Sequence, residues 1–421
     1  MASSNSLLLE KAREVLAQAE SLVKYYEAKG VAEPDFSPSS ASHPSDREFD
    51  TLRINLTQAA EDAILLANGP LQWLRTFICH QHDLGAWQIA LRFKYFSIIP
   101  VGQSMTVKEM ASIAKMDEDR LGRVMKLLAS QRCFQELEEG VYEHTSLSAF
   151  VANNKDIEAT IAFQADEMFE AASLTATSVE QQPFTSTPDN SAFNIRFGTT
   201  PYKWYAANPA RGARFAAAMA GLVQMNKDTL ELRDRFPWAS LGKTTVVDVG
   251  GGSGHISIYL ANEFPDLEFI VQDVNTVMLV EGPKRADYPP VEKRVSFMQY
   301  DFNQPQPVHN AGLFFMRQII HNYNDETSVK IFKSFVPAME KCSPNTSLLI
   351  NDMVLPPANT EPKVQEHHLR QIDMAMLNGY AAKQRTLKEF TDLLKEADSR
   401  FEVVKVHGQG IMGLIEVKLV H

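Results

Sequence analysis

The chain has 421 residues, 44% of them hydrophobic and 22% charged, which suits two or three domains and not a disordered, collagen-like or disulfide-stapled protein. Against 41 Lys and Arg stand 52 Asp and Glu, and a formal charge of -11 argues against holding nucleic acid or an anionic membrane by long-range attraction. Cys79, Cys133 and Cys342 form neither a disulfide framework nor a CxxC knuckle, no basic leader opens the sequence, and no apolar run approaches the ~20 residues that span a bilayer, so a cytoplasmic protein is expected.

Residues 5 to 28 read as an amphipathic helix, and the Pro- and Ser-rich stretch from Val31 to Ser45 as a linker. Helical periodicity resumes in Leu52 to Ala67 and Leu71 to His82 and continues through Gly85 to Phe93. Thr106 to Ala114 and Asp117 to Ser130 predict two short helices, followed by a hairpin of Cys133 to Leu137 and Val141 to Glu143. Helix, helix, hairpin is the winged-helix order. As a DNA reader it would use Asp117 to Ser130, but Asp117, Glu118 and Asp119 stand there beside Arg120, Arg123 and Lys126. A scaffold or dimerisation module is therefore expected, with no nucleic-acid or membrane partner. Helices continue to about Phe236, including the Ala-rich Arg211 to Met225, whose Met and Phe residues read as core. From Thr244 the rhythm becomes strand, turn, helix. Apolar runs at Thr245 to Val249, Phe269 to Val271, Leu313 to Phe315 and Ser347 to Ile350 predict a mostly parallel, doubly wound sheet. The expected divisions are 1–46 (helix and linker), 47–235 (helical and winged-helix domain) and 236–421 (α/β domain).

The strongest local signal is Val246-Val-Asp-Val-Gly-Gly-Gly-Ser-Gly254, a strand running into a glycine turn and then a helix, Ile256 to Asn262. The spacing is Gly-x-Gly-x-Gly, not the Gly-x-Gly-x-x-Gly of a dinucleotide pyrophosphate site. Asp273 ends the next strand, where a carboxylate can bind ribose hydroxyls, and Asp301 with Phe302 follows Val295 to Tyr300. Asp248 can serve a cationic or amino group. Together these residues suit a nucleoside without phosphate that carries a sulfonium and an amino acid, S-adenosyl-L-methionine. In Phe314-Phe-Met-Arg-Gln-Ile-Ile-His321 a histidine lies beyond a strand's carboxyl end, where it can accept a hydroxyl proton. Asp352, closing Leu348 to Asp352, can hold its imidazole in one tautomer. The close histidine groupings, His80 with His82 and His367 with His368, lack a ligand spacing, and no metal is expected.

These motifs resemble the S-adenosylmethionine-dependent O-methyltransferases of the plant caffeic acid type, and most closely their fungal secondary-metabolism relatives. The resemblance runs from about Leu71 onward and rests on Asp248 to Gly254, Asp273, Asp301-Phe302, Phe315 to His321, Asn351 to Pro356 and Lys383-Gln-Arg-Thr386. It implies a class I methyltransferase, Rossmann-like domain behind a winged-helix dimerisation domain. By resemblance, Gly250, Gly251, Gly252 and Gly254 bind the methionine end of the cofactor, with Asp248 beside them, and Asp273 the ribose; Asp301 and Phe302 frame the adenine, and Arg317 touches the cofactor. His321 matches the general base, Asp352 the acid that orients it, and Gln384 the place of a second flanking acid. Phe215, Met219 and Met376 fall near positions that clamp a small-molecule aromatic acceptor, and Met412 ends a pocket-side stretch from Val403. The N-terminal helices are expected to form an intertwined homodimer. Gln384 departs from the usual Glu and cannot carry charge, although it can hydrogen-bond; His321-Asn322-Tyr323 replaces His-Asp-Trp. The implied activity is O-methylation of a secondary-metabolite hydroxyl. The alternative is a methyltransferase-like enzyme that uses bound cofactor for dehydration or pericyclic cyclisation without methyl transfer.

Overall fold

The computed structural model describes residues 6–226, 228–407 and 412–420. They form two units: the first extends to Glu170 and adds Tyr202–Asn226 and Glu361–His368, and the second holds Ala171–Pro201, the chain up to Thr360, and the chain from Leu369.

In the first unit a helix over Leu7–Lys29 starts on the Ser6 side chain, which accepts from the Leu9 amide, and stops at Gly30 in the left-handed region. It packs on the helix Arg47–Phe77 through Tyr25, Tyr26 and Phe49, all under 6% exposed. The spacing predicts two helices here, parting near residue 70, and the structure parts them there at a kink. Gly69 (φ 61°, ψ 179°) breaks the backbone before Pro70, whose ring fixes φ and removes an N–H donor. The next helix, His80–Arg92, absorbs both His82 and the segment from Gly85. The winged arrangement follows. Helices Val107–Ala114 and Glu118–Ser130 lead to a three-stranded sheet of β1 (Ser104–Thr106), β2 (Phe134–Glu138) and β3 (Val141–His144), in the order β1-β3-β2. Thr106 and Glu109 cap the first helix reciprocally, and the Asp117 side chain caps the second. Leu121, Met125 and Leu128 share one face of that second helix and are fully buried with Met110, Tyr95 and Tyr142. The Ala-rich segment lies within the helix Pro209–Asn226, which packs on Lys155–Phe163 through Ala218, whose carbonyl accepts from Thr160 Oγ1 at 2.9 Å.

The second unit is built on β4 (Thr244–Val249), β5 (Leu267–Asp273), β6 (Val295–Gln299), β7 (Leu313–Arg317), β8 (Ser347–Leu355), a short β9 (Arg385–Thr386) beside β8, β10 (Phe401–His407) and β11 (Met412–Leu419). The main order is β10-β11-β8-β7-β4-β5-β6. Strands β6, β5, β4, β7 and β8 are parallel, while β11 and β10 run antiparallel at one side. Both faces are apolar because both are covered. Val247, Phe314, Leu348 and Ile350 face the helices Asp325–Met339 and Leu387–Ala397, while Val246, Leu313, Phe315 and Leu349 face Ile256, Leu260 and Trp238. Each such fully buried side chain contributes roughly 1.5–3 kcal/mol of transfer free energy. The consequence for function is topological. From β4 the chain turns to β5 on one side and later enters β7 on the other, so a crevice opens at their carboxyl ends.

Candidate active site

The glycine turn after β4 leads into the helix His255–Glu263. The Gly250 and Gly251 amides donate to the Gln272 carbonyl at 2.8 and 3.0 Å, tying the turn to β5. A Cβ on Gly250, at φ 78°, would stand 2.5 Å from Ile319 Cδ1, and one on Gly251 would stand 2.5 Å from Asp248 Oδ2. No side chain fits at either position. At Gly252 a Cβ would meet nothing nearer than the Met278 methyl at 3.5 Å, so this side of the turn admits a ligand.

Asp248 is buried beneath the turn, where its Oδ2 accepts from Ser257 Oγ at 2.6 Å. Burial pushes its pKa up to about 6, against the opposing pull of the Ser257 hydroxyl and the Arg317 charge. Asp273, the last residue of β5, accepts from the Gly252 amide at 3.0 Å through Oδ2 and from the Asn275 amide at 2.8 Å through Oδ1. Asp301, past the end of β6, accepts from the Asn303 amide and side chain at 2.9 and 2.8 Å. Half-buried Phe302 meets the Tyr323 ring edge-on at 5.6 Å. Arg317 closes β7 and donates to Asn351 Oδ1. A narrow glycine turn with acids at the carboxyl ends of three successive parallel strands is a donor set that fits an amino-acid nucleoside.

His321 sits in the single helical turn Ile320–Asn322 just past β7. Its Nδ1 lies 2.8 Å from Asp352 Oδ1, and its backbone N–H donates to Asp352 Oδ2 at 3.2 Å. Asp352 is 1% exposed, so one buried carboxylate grips both the ring and the backbone of the histidine. With the Nδ1 proton directed at Asp352, the lone pair lies on Nε2, and the side chain keeps 18% of its surface exposed. Gln384 is buried; its backbone N–H donates to Asp373 Oδ1 at 2.7 Å, and its side-chain Oε1 has no hydrogen-bond partner among the described residues.

The residues expected to clamp an acceptor divide between the units. Met376 is half-buried on the helix Lys363–Tyr380, and Met412 opens β11 opposite Met353, in a small cluster with Leu355 and Leu369. Phe215 and Met219 belong to the first unit, where Phe215 stacks on Tyr205 at 4.5 Å and meets Phe163 edge-on at 5.5 Å. Of the stretch from Val403 to Met412, residues 408–411 lie outside the described residues.

Two features escape sequence reasoning. Arg385, fully buried, reaches the His321 turn. In the first unit, Asp166 on the π-helical turn Gln164–Met168 gathers Arg92, Arg211 and Arg214 within 3 Å, beside a cavity of about 280 Å³. The motif Lys383-Gln-Arg-Thr386 marks Arg385 but not its partners, and no short-range pattern marks the Asp166 cluster, because the partners lie 45 to 74 residues apart. Among the described residues no group of three or more His, Cys, Asp or Glu is arranged to hold a metal ion, and no helix is long and apolar enough to cross a membrane.

The sheet order and the site at its switch point define a class I methyltransferase fold. The sequence profile of the O-methyltransferase domain matches residues 174–400. The chain is 44% identical over 417 residues to O-methyltransferase sol2 of Alternaria solani, covering 99% of this chain and 96% of that protein. Among solved structures it is similar to OxaC in complex with SAH and oxaline, with TM-score 0.78, 22% identity and 98% of each chain covered. It is also similar to a structure described as a pericyclic reaction enzyme, with TM-score 0.73, 17% identity and coverage of 97% of this chain and 100% of that one. The chain belongs to the O-methyltransferase family, whose members are S-adenosylmethionine-dependent enzymes.

Proposed function

We propose that this enzyme methylates a hydroxyl of a fungal-type secondary metabolite, with His321 as general base. The observation that carries the reading is the His321–Asp352 pair, 2.8 Å apart, at the carboxyl edge of β7 and next to the β4 glycine turn in the sheet. Gly250, Gly251, Gly252, Gly254 and Asp248 would hold the methionine end of S-adenosylmethionine, Asp273 the ribose, Asp301 and Phe302 the adenine, and Arg317 would add a further contact. The cofactor supplies an electrophilic methyl on a sulfonium. His321 Nε2 takes the proton of the acceptor hydroxyl, and the Asp352 carboxylate keeps the ring oriented and balances its positive charge. Nothing further need ionise; alignment and exclusion of water do the rest. Gln384 offers a neutral buried acceptor where relatives of the plant type carry a second acid.

Phe215, Met219, Met376 and Met412 are assigned to the acceptor. The enzyme is assigned as a homodimer, because the first unit leaves Leu71, Trp73, Phe77 and Ile78 between 48% and 82% exposed on consecutive turns of chain.

The test is mass spectrometry on enzyme given methyl-labelled S-adenosylmethionine with a panel of phenolic, polyketide and pyridone metabolites. A labelled product is expected, and His321→Ala should slow its formation by about 10² to 10⁴ with cofactor binding retained. A variant as fast as wild type would remove His321 from the role. A substrate consumed without label, with cofactor intact, would instead favour cofactor-assisted dehydration or pericyclic cyclisation, a chemistry with which neutral Gln384 is compatible.

A further inference from the structure

We infer that Arg385 is a positioning residue that sets the register of the His321 turn against Asp352, an inference that rests on His321 acting as the base. Arg385 is 0% exposed on the two-residue strand β9, which pairs with β8 just past Asp352 (Val354 opposite Arg385). Its Nη1 donates to the Ile320 carbonyl at 3.0 Å and its Nη2 to the Tyr323 carbonyl at 2.8 Å. The guanidinium therefore holds the residue before His321 and the residue two after it. Nε and Nη2 also donate to Asp325 Oδ1 at 3.0 and 2.7 Å, fastening the turn to the start of the helix Asp325–Met339.

His321 is thus held from two sides. Asp352 grips it from β8, and Arg385 grips the carbonyls that flank it. Besides these, the Asn322 N–H donates to Ile319 O and the Tyr323 N–H to Ile320 O, each at 3.1 Å, and Asn322 Nδ2 donates to Gln318 O at 3.1 Å. Two carbonyls and a carboxylate arrayed around one buried cation need a planar fork of donors. A lysine ammonium on a flexible stem cannot reach all three in fixed directions. Lys383 does not substitute, because its Nζ is committed to Asp325 Oδ2 at 3.1 Å and Glu389 Oε1 at 2.9 Å on the outer side. A misplacement of about 1 Å at a catalytic base costs up to 10²-fold in rate, so this grip bears on turnover more than on binding.

The experiment compares Arg385→Lys, Arg385→Ala, Asp325→Asn and His321→Ala with wild type in the labelled-methyl assay, alongside cofactor affinity by calorimetry and thermal melting. In Arg385→Lys, kcat should fall by about 10- to 100-fold while the acceptor KM and cofactor Kd stay within about twofold. Dilute guanidinium should restore part of the kcat of Arg385→Ala, and sodium at equal ionic strength should not. Unchanged kcat in Arg385→Lys, or a loss of kcat that tracks loss of cofactor affinity and fails to respond to guanidinium, would overturn the proposal. Should the Arg385 variants fail to fold, Asp325→Asn decides, since it loosens the same guanidinium from a side chain that is 50% exposed. A kcat loss with Kd retained supports the proposal, and wild-type kcat overturns it. His321→Ala separates the two readings: if it is inactive while the Arg385 and Asp325 variants are normal, this inference alone falls, and if it is active, the base assignment falls first.

Discussion

Asp248→Asn should stabilise the ligand-free enzyme above neutral pH. The Asp248 carboxyl is buried, with Ser257 Oγ as its hydrogen-bond donor at 2.6 Å, and burial raises its pKa from 3.8 to about 6. A folded-state pKa above the unfolded one means that the native state binds more protons between those values. Stability therefore falls as pH climbs through that window, and above it the buried charge costs about 3 kcal/mol. An asparagine removes the charge and keeps an oxygen to accept from Ser257, but it adds an NH₂ that needs a partner. The net gain at about pH 8 should then be about 1–3 kcal/mol, vanishing below about pH 4. The assay is urea denaturation across this pH range, following the fluorescence of Trp238, the one tryptophan of the second unit. Equal or lower stability of the variant at alkaline pH would refute the reasoning, since the carboxylate would then be net stabilising as an ion. Added S-adenosylmethionine should reverse the order, because the proposed role gives the ionised carboxylate a cationic partner.

Asp166→Asn tests the opposite sign in the first unit. Burial alone would raise this carboxyl, but Arg214, Arg211 and Arg92 outweigh it and hold its pKa at about 2. Its contribution is present above the ordinary carboxylate range and is lost as pH falls toward 2. The variant should therefore cost about 1–2 kcal/mol at neutral pH, after allowance for the half-exposed Arg92 and Arg211, and nothing near pH 2. Equal stability at neutral pH would refute it. The homodimer is tested by light scattering: a species of twice 47.2 kDa is expected for wild type and a smaller one for Trp73→Glu, whereas a 47.2 kDa wild type would refute the assignment.

Much of the second unit is legible in the sequence for one physical reason. Strands buried on both faces read as unbroken apolar runs, and these are β4, β5, β7 and β8. The glycine turn is equally legible, because at Gly250 and Gly251 a Cβ would collide with Ile319 and Asp248. The antiparallel pair β10 and β11 is less so. Its pairing with β8 joins Ser347 to Lys418 across two intervening helices, and no local pattern marks such a partner. The break inside Arg47–Phe77 is legible as well, because Gly69 takes the left-handed φ and Pro70 lacks an N–H donor, and the helical periodicity from Leu71 marks the helix that follows.

What the sequence by itself determined is chemistry and local form: the strand–glycine–helix unit, the acids at the carboxyl ends of successive strands, the histidine beyond β7 and the aspartate in β8, all set by backbone sterics and short-range periodicity. Tertiary structure alone decided the pairings. It brought Asp352 to both the ring and the backbone of His321, turned the Asp248 carboxylate onto Ser257 beneath the glycines, and carried Arg385, 64 residues away, to the carbonyls on either side of the histidine. Hydrogen bonds and ion pairs depend on distance in space, and a chain that crosses one sheet many times makes neighbours of residues that its order keeps apart.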